Sequence, residues 1–328
     1  MNWREGDGRM RVLLTGATGF VGSHLLRGLL EDGHAVCVVK RSFSDPWRVE
    51  KLLLGCVVYD LDKTGTAKIL EDTPVDCIVH CATHYVRDNR EYQKNIDSNL
   101  LFPLELLGRA KEHGVKYFIN TATFFEDQLD GRGDFNSAVY SHSYVLSKAQ
   151  FAQWGELLAL EGGPAFISLK LHHVYGGMDN GGKFIPYVLR QCRGNVPSLA
   201  LSGGTQQRDF IHVSDVVAAY RAVISHLERH GAVGYRTYEV GTGRARSIKE
   251  FVGLIHRAVG STTCLKWGAL PMGKGELMYS RADNSALRGL GWEPGIVEDA
   301  EIEKIFRGGV FRYRQINTMG YHRERWCA

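Results

Sequence analysis

The sequence predicts an α/β fold built on a doubly wound parallel sheet, with a smaller domain towards the C-terminus. Short apolar runs alternate with segments of helical spacing through the first half of the chain, and this alternation is typical of parallel sheets. A glycine-rich turn joins the first apolar run to the first helical segment. The 328 residues are enough for one large unit or two closely joined domains with a sizeable core.

The predicted elements follow in order from Arg11. RVLLTG predicts a strand, FVGSHLLRGLLEDG a helix that ends at Gly33, and HAVCVV a second strand. Further strands are predicted from CVVYDLD, VDCIVHCAT, KYFINTAT and PAFISLKLHHVYG, and helices from NLLFPLELLGRAKEHG and YVLSKAQFAQWGELLALEG. After Tyr175 the alternation loosens, with a glycine-rich loop, GGMDNGGKF, and one more strand, YRTYEVGTG.

Composition argues against several classes of protein. The net charge is only +4, from 40 basic and 36 acidic residues, whereas nucleic-acid binding usually needs a concentrated basic face. No apolar run reaches the roughly 18 residues of a membrane span, and MNWREGDGRM resembles a short leader without a signal core. Seven cysteines without paired spacing fit reduced thiols. We therefore expect a cytoplasmic protein with neither nucleic-acid nor membrane partners.

The glycine-rich turn TGATGFVG predicts a dinucleotide site of the Rossmann type. Gly16 would allow the tight turn, Gly19 the approach of backbone to a pyrophosphate, and Gly22 close packing of helix on strand. The N-terminus of the following helix offers free N–H groups and a favourable dipole to phosphates. Glycine triplets alone are a weak signal, but here an apolar strand precedes them and an apolar helix follows.

The stretch VVKRSFSD lies about 20 residues further on, where an acid would hold the ribose hydroxyls of NAD. Lys40, Arg41 and Ser42 stand there instead. A guanidinium binds phosphate bidentately, whereas a carboxylate would repel it, so the stretch predicts NADP(H). The alternative is a solvated basic loop. Arg48 could reach the same site or lie on a nearby helix.

The stretch YVLSK places Tyr144 and Lys148 four residues apart on one face of a predicted helix. A free phenol has a pKa near ~10, and we expect the ammonium to lower it, giving a general acid or base. Thr121 and Thr123 end the strand KYFINTAT, where a hydroxyl could hydrogen-bond a substrate carbonyl. The glycine turn, the strand-end hydroxyl and the Tyr–Lys pair follow one another along the chain, and together they predict an active site.

The chain resembles the extended short-chain dehydrogenase/reductases, the superfamily of nucleotide-sugar epimerases, dehydratases and reductases. TGATGFVG matches its cofactor motif, YVLSK its catalytic motif, VHCAT the strand end beside the cofactor, and RDFIHVSDVVAAY its substrate-domain motif. The resemblance implies a homodimer and a nucleotide-diphosphate sugar substrate. The motifs and the resemblance together imply cofactor contacts from Gly16, Thr18, Gly19, Phe20, Val21, Gly22, Lys40, Arg41, Ser42, Asp60, Leu61, His80, Ala82, Tyr144, Lys148, Leu171, His173 and Val174. Substrate contacts are implied for Thr83, Thr123, His173, Lys183, Phe184, Arg208 and Lys274, and catalysis for Thr123, Tyr144 and Lys148.

The loosening of the alternation after Tyr175 predicts a division into two domains. Residues 1–171 would bind the dinucleotide, with residues 211–245 returning to them. Residues 172–210 and 246–328 would bind the substrate. No metal site is expected, because the histidines and cysteines of HCATH and LHH alternate between strand faces and lack a paired-cysteine motif.

Several segments, among them KFIPYVL, YEVGTG and KLHHVYG, more closely resemble the CDP-abequose synthase branch, whose members reduce a 4-keto-deoxyhexose attached to a nucleotide. Departures from the wider family pattern are Gly177 in place of proline, His173 in place of asparagine, and Gly273 in place of a diphosphate-binding arginine, with Lys274 adjacent. The resemblance therefore implies an NADPH-dependent 4-ketoreductase of deoxysugar biosynthesis. It leaves the nucleotide and the sugar open.

Three other functions fit parts of the sequence. An epimerase would retain NAD, against which the basic Lys40 and Arg41 argue. A dehydratase would carry an Asp-Glu pair directly after the catalytic threonine, where this chain has two phenylalanines and a displaced Glu126. A dinucleotide-sensing regulatory protein on this fold often lacks the Tyr–Lys pair that this chain keeps.

Overall fold

The computed structural model describes residues 9–85, 91–128, 142–273 and 276–308. Apolar, β-branched runs form the strands, and amphipathic segments form the helices between them. The strands are β1 (Arg11–Thr15), β2 (Ala35–Lys40), β3 (Val57–Asp60), β4 (Cys77–His80), β5 (Tyr117–Thr123), β6 (Ala165–Leu171), β7 (His173–Tyr175), β8 (Ser198–Ala200), β9 (Gln207–His212), β10 (Tyr235–Val240), β11 (Ala245–Ser247) and β12 (Cys264–Lys266). The α-helices are α1 (Phe20–Glu31), α2 (Thr66–Asp72), α3 (Tyr92–Ile96), α4 (Phe102–Glu112), α5 (His142–Leu160), α6 (Phe184–Arg193), α7 (Val213–His230), α8 (Ile248–Ala258), α9 (Ser285–Arg288) and α10 (Asp299–Gly308).

Seven parallel strands form the main sheet, in the order β10-β6-β5-β4-β1-β2-β3. The order runs outwards in both directions from β1, so a crevice opens at the carboxyl ends of β1 and β4. The predicted Rossmann-type doubly wound sheet is confirmed. β10 completes one edge of this sheet, which fits the expected return of residues 211–245, although the domain boundaries themselves stay a prediction.

Helices cover both faces of the main sheet. On one face, α1 and α7 pack leucines and valines against alternate residues of the strands, such as Val12 and Leu14 of β1. On the other face, α2, α4 and α5 pack against the intervening residues, such as Leu13. Because both faces are covered, the strands read as nearly continuous apolar runs.

A second, separate core lies beyond the main sheet. It is formed by α6, α8 and α10 and by a three-stranded sheet in the order β11-β9-β7, while β12 and β8 pair separately. The prediction of a single strand from PAFISLKLHHVYG is therefore wrong, because this segment forms two strands. The chain breaks at His172, so β6 belongs to the main sheet and β7 to the smaller one.

Among the described residues, no helix combines the length and the apolar character needed to cross a membrane.

Candidate active site

A cleft of about 580 Å³ opens at the carboxyl edge of the main sheet and runs from the glycine turn (residues 16–22) to the start of α6. It is the place where a doubly wound sheet binds its ligands. The predicted site residues that line it are Gly16, Thr18, Gly19, Phe20, Val21, Gly22, Lys40, Arg41, Leu61, Ala82, Thr83, Thr123, Tyr144, Lys148, Leu171, His173, Val174, Lys183 and Phe184.

The glycine turn is built so closely that side chains are excluded. Gly16 has a φ of +71°, and a Cβ there would lie 2.4 Å from the backbone nitrogen of Ala82. A Cβ on Gly22 would lie 2.2 Å from the carbonyl oxygen of Gly16. No side chain in the described part of the chain caps the N-terminus of α1, so its first backbone N–H groups are open to a ligand. This cradle fits the pyrophosphate of a dinucleotide.

The basic stretch after β2 contributes Lys40 and Arg41 to the cleft. The Arg41 guanidinium donates a hydrogen bond to the Ser98 hydroxyl at 3.2 Å and lies 5.5 Å from the centroid of the Phe43 ring. Its cationic end therefore sits at the mouth of the cleft, beyond the glycine turn. A phosphate on the adenosine ribose fits this position, because the guanidinium keeps further N–H donors for it.

Ser42 and Asp60 differ from the prediction, since neither is among the residues that line the cleft. The Ser42 hydroxyl donates to a carboxylate oxygen of Asp60 at 2.6 Å, and its backbone N–H donates to Asp62 at 2.8 Å. The hydrogen bond from Ser42 lowers the pKa of Asp60. Ser42 and Asp60 therefore stabilise the loop after β2 through hydrogen bonds outside the cleft, while neighbouring Leu61 lines the cleft.

Arg48 binds the cleft wall. Its Nε donates to the carbonyl oxygen of Met178 at 2.8 Å and its Nη1 to that of Thr18 at 3.0 Å. His24 Nε2 lies 2.9 Å from the carbonyl oxygen of Gly177. The sequence leaves open whether Arg48 reaches the phosphate site or lies on a nearby helix. In the structure its side chain instead links the glycine turn to the loop that precedes α6.

His80 does not line the cleft, so the prediction that its side chain contacts the cofactor is wrong. Its ring is fully buried among Phe102, Phe118 and Phe151, and Nδ1 lies 2.9 Å from the Thr15 hydroxyl. Successive residues of a strand face opposite sides of the sheet, and the His80 side chain lies on the buried side, against these rings. Burial keeps its pKa well below the usual value.

Three predicted residues meet where β5 and α5 approach each other. Tyr144 and Lys148 project from α5, and Thr123 ends β5. The hydroxyls of Thr123 and Thr83 are both within hydrogen-bonding reach of the Tyr144 phenol. Tyr85 packs edge-on against the Tyr144 ring, with centroids 4.9 Å apart. A carbonyl oxygen placed here would meet two hydroxyl donors at once.

The electrostatics of this group differ from the sequence prediction. Burial raises the pKa of Tyr144, and nearby Tyr85 and Glu126 raise it further, whereas the sequence predicts that Lys148 lowers it. Burial also lowers the pKa of Lys148 to about 8. The phenol is therefore held in its protonated form at neutral pH, which suits a proton donor.

Aromatic rings line the far end of the cleft. Phe124, Phe125, Phe184 and Phe210 lie there with His173, whose ring is within 6.0 Å of three of them. Burial, and then the charge of a nearby arginine, keep the pKa of His173 well below its usual value. Its buried Nε2 has no hydrogen-bond partner in the described part of the chain, so the neutral ring can bond a ligand.

Of the remaining predicted substrate residues, Lys183 lines the cleft and Arg208 does not. Lys183 pairs with Asp179 at 3.0 Å and lies 5.5 Å from the Phe20 ring, next to the glycine turn. Arg208 is fully buried behind the cleft, 3.6 Å from a carboxylate oxygen of Glu276, and does not line it. Lys274 lies outside the described residues.

Sequence reasoning missed several lining residues because they sit on loops without a periodic pattern. Two of them follow directly from a predicted motif, since Phe43 and Ser44 continue the basic stretch. Tyr85 and Asp179 lie on loops whose course depends on tertiary packing. Ser98 and Phe102 lie on or beside the π-helical segment Asp97–Leu101 that leads into α4.

Comparison with known proteins identifies the family. The model of the NAD dependent epimerase/dehydratase family matches residues 12–241. CDP-abequose synthases from Salmonella muenchen and Salmonella typhimurium are 32% and 30% identical over 300 residues, covering 91% and 90% of this chain and 98% and 97% of theirs. The crystal structure of UDP-glucose-4-epimerase from Stenotrophomonas maltophila with bound NAD and formylated UDP-arabinopyranose superposes with a TM-score of 0.78 at 22% identity, over 91% of this chain and 97% of that one. The chain belongs to the NAD dependent epimerase/dehydratase family.

Proposed function

We propose that this protein is an NADPH-dependent reductase that reduces the 4-keto group of a nucleotide-linked 4-keto-6-deoxy or 3,6-dideoxy hexose in deoxysugar biosynthesis. The observation that carries the proposal is the meeting of Tyr144, Thr123 and Lys148 at the sugar end of a cleft that begins at a glycine turn. The similarity to CDP-abequose synthases over nine-tenths of the chain supports this substrate class.

The residues present fit NADPH. The glycine turn would hold the pyrophosphate, and Lys40 with Arg41 would hold the 2′-phosphate. The buried Lys148 ammonium would bind the nicotinamide ribose hydroxyls, since it lines the cleft between the glycine turn and Tyr144. When bound, this cofactor supplies the hydride that a ketone needs in order to become an alcohol.

The protein's own contribution is proton transfer and positioning. Thr123 and Tyr144 donate hydrogen bonds to the ketone oxygen, which polarises the carbonyl and stabilises the negative charge that develops on it. Tyr144 then transfers its proton to that oxygen. The raised pKa of its phenol keeps the proton in place until the oxygen becomes basic enough to take it.

The rings around the sugar end support a deoxygenated sugar. Phe124, Phe125, Phe184 and Phe210 offer apolar surface to carbons that carry no hydroxyl. A fully hydroxylated hexose would have to desolvate its hydroxyl groups against these rings, and each unpaired buried hydroxyl costs about 1–3 kcal/mol on the scale of protein mutational data.

A second candidate is an NAD-dependent nucleotide-sugar epimerase. The observation that favours it is the pair of carboxylates, Asp60 and Asp62, that hold Ser42 behind the basic stretch and weaken its positive field. An epimerase returns its hydride to the sugar and consumes no reduced cofactor. A non-catalytic dinucleotide sensor would bind the cofactor without turning over any sugar.

The deciding experiment incubates the purified protein and NADPH with nucleotide-linked 4-keto-6-deoxyhexoses carrying CDP, dTDP, GDP or UDP. The absorbance of reduced nicotinamide is followed, and the product is identified by NMR. Reduction predicts stoichiometric loss of NADPH and a new secondary alcohol at carbon 4. Interconversion of sugars without loss of NADPH would establish the epimerase, and binding without turnover the sensor.

The proposal includes a homodimer. Trp154 and Leu157 are both 44% exposed on α5, and Leu160 is 73% exposed at its end. Leu101, just before α4, is 51% exposed. A second copy of the chain would cover this apolar surface. Sedimentation equilibrium tests the assembly: we expect a dimer, and a monomer after Trp154→Glu and Leu157→Glu.

A further inference from the structure

Glu126 is a buried carboxyl group that the proposed mechanism does not use. It lies in the 3₁₀ turn Phe124–Gln128, directly after β5, and is 8% exposed. Its Oε1 accepts a hydrogen bond from the backbone N–H of Thr123 at 3.3 Å. A buried carboxylate is expensive unless charges or hydrogen bonds compensate it, so its surroundings need an account.

Charged and titratable groups face Glu126 from each element around it. Helix α5, which carries Lys148 and Tyr144, packs against this turn, and the charges of both side chains interact with that of Glu126. Lys170 faces it from β6, where it pairs in register with Ala122. Asp127 in the same turn is already bound to Lys170 at 2.5 Å. Of the two cations near Glu126, Lys170 is thus bound by Asp127 and Lys148 is not.

Lys148 needs such a partner. It is 2% exposed, and burial of an ammonium without a counter-charge drives it towards the neutral form. The other groups near it, His80 and Cys81, supply no negative charge: burial keeps the imidazole neutral and raises the pKa of the thiol to about 11. Within the described residues, Glu126 is the carboxylate that opposes this effect.

We propose that Glu126 is a positioning residue of the active site: it is the buried counter-charge of Lys148 and it anchors the end of β5 at Thr123. This inference rests on the proposed role of Lys148 in binding the nicotinamide ribose. One carboxylate thereby holds two members of the catalytic group, although it is not among the residues that line the cleft.

The arrangement makes the charges of the two groups depend on pH in two steps. Burial raises the pKa of Glu126 to about 6, even though Lys148 and Lys170 oppose this. Above that pH the carboxylate is ionised and supports the ammonium, whose own pKa is about 8. Both groups are therefore expected to be charged together between about pH 6 and 8, with the carboxylate protonated below this range and the ammonium deprotonated above it.

The test follows Lys148 in the cofactor-free protein, so it does not depend on any substrate. Protein labelled with ¹³C at lysine Cε is titrated by NMR, and the Lys148 resonance is assigned by its loss in Lys148→Met. In Glu126→Gln we expect the Lys148 pKa to fall by at least about 1, the lower bound for losing a close opposite charge. Asp127→Asn is the matched control and should leave this pKa unchanged.

Wild-type protein gives a second readout in case Glu126→Gln does not fold. Its Lys148 resonance should show a smaller step near pH 6, as Glu126 ionises, before the main titration. An unchanged Lys148 pKa in Glu126→Gln, an equal fall in Asp127→Asn, or a wild-type titration without the lower step would each overturn the proposal.

Enzyme kinetics separates this inference from the proposed function. In Glu126→Gln the alkaline limb of kcat/KM should move to lower pH by the same amount as the NMR pKa, whereas a merely structural residue would lower kcat/KM evenly at all pH values. If the NMR shift occurs and no keto-sugar is reduced, the inference about Glu126 and Lys148 stands and the proposed function fails.

Discussion

The guanidinium of Arg41 reaches over the cleft to the hydroxyl of Ser98 at 3.2 Å, from the end of β2 to the segment that leads into α4. Ser98 carries no charge, so the arginine brings a net positive charge to the cleft mouth. Behind it, Ser42 is occupied by Asp60 and Asp62. Of the three residues Lys40, Arg41 and Ser42, the proposed preference for NADPH therefore rests on Lys40 and Arg41, which line the cleft.

Replacing Arg41 with alanine should weaken NADPH binding by about one to two decades and leave NADH binding nearly unchanged. A hydrogen bond to a charged group is worth roughly 1.5–3 kcal/mol, and NADPH carries the additional phosphate. Fluorescence titration with both cofactors measures the difference. Arg48→Ala is the matched control: losing its bonds to Thr18 and Met178 loosens the glycine turn and should weaken both cofactors equally. An equal loss in Arg41→Ala would remove the case for NADPH.

Replacing Arg208 with alanine should destabilise the fold. The sequence predicts that this residue binds the substrate diphosphate, but it is buried beside Glu276, whose side chain is 1% exposed. Removing one partner of a buried ion pair leaves an uncompensated charge, which typically costs about 3–5 kcal/mol. Thermal unfolding should therefore show a lower Tm, partly restored in Arg208→Ala with Glu276→Gln. A variant that keeps its Tm and only raises KM would return Arg208 to the substrate site.

The reaction should lose rate as the pH rises through about 8. Lys148 has its pKa lowered to about 8 by burial, so its ammonium is present below that pH and lost above it. Tyr144 keeps its proton throughout, because burial raises its pKa. NADPH affinity should fall along the same limb as kcat/KM, since both need the ammonium. A limb in kcat/KM with constant cofactor affinity would instead indicate that a different group titrates.

Replacing Phe125 with tyrosine should favour hydroxylated sugars. Phe125 lies in the cleft with its ring centroid 6.0 Å from that of His173, so a phenol there would add a polar group to the apolar wall. We expect kcat/KM for a 6-deoxy substrate to fall several-fold relative to that for its 6-hydroxy analogue. An unchanged ratio would show that the sugar does not rest against this ring.

The glycine turn, the strand ends and the helical Tyr–Lys spacing were predictable because each depends on local backbone rules. Gly16 needs its positive φ whatever surrounds it, and residues four apart on a helix share a face. Burial was not predictable from one sequence. His80 faces the interior, and the charge of Lys148 depends on how deeply α5 packs. The position of Glu126, three residues after the threonine that ends β5, was the one feature of the sequence that could have indicated its place beside the active site.

The most direct test of the central claim compares wild-type protein with Tyr144→Phe in NADPH oxidation by a nucleotide-linked 4-keto-6-deoxyhexose. The substitution removes one oxygen and little volume, so the fold and NADPH binding should survive. General acid catalysis is worth about 10²–10⁴-fold, and kcat should fall by that factor. Wild-type turnover by Tyr144→Phe, with NADPH bound equally well by both proteins, would contradict the assignment of Tyr144 as the proton donor.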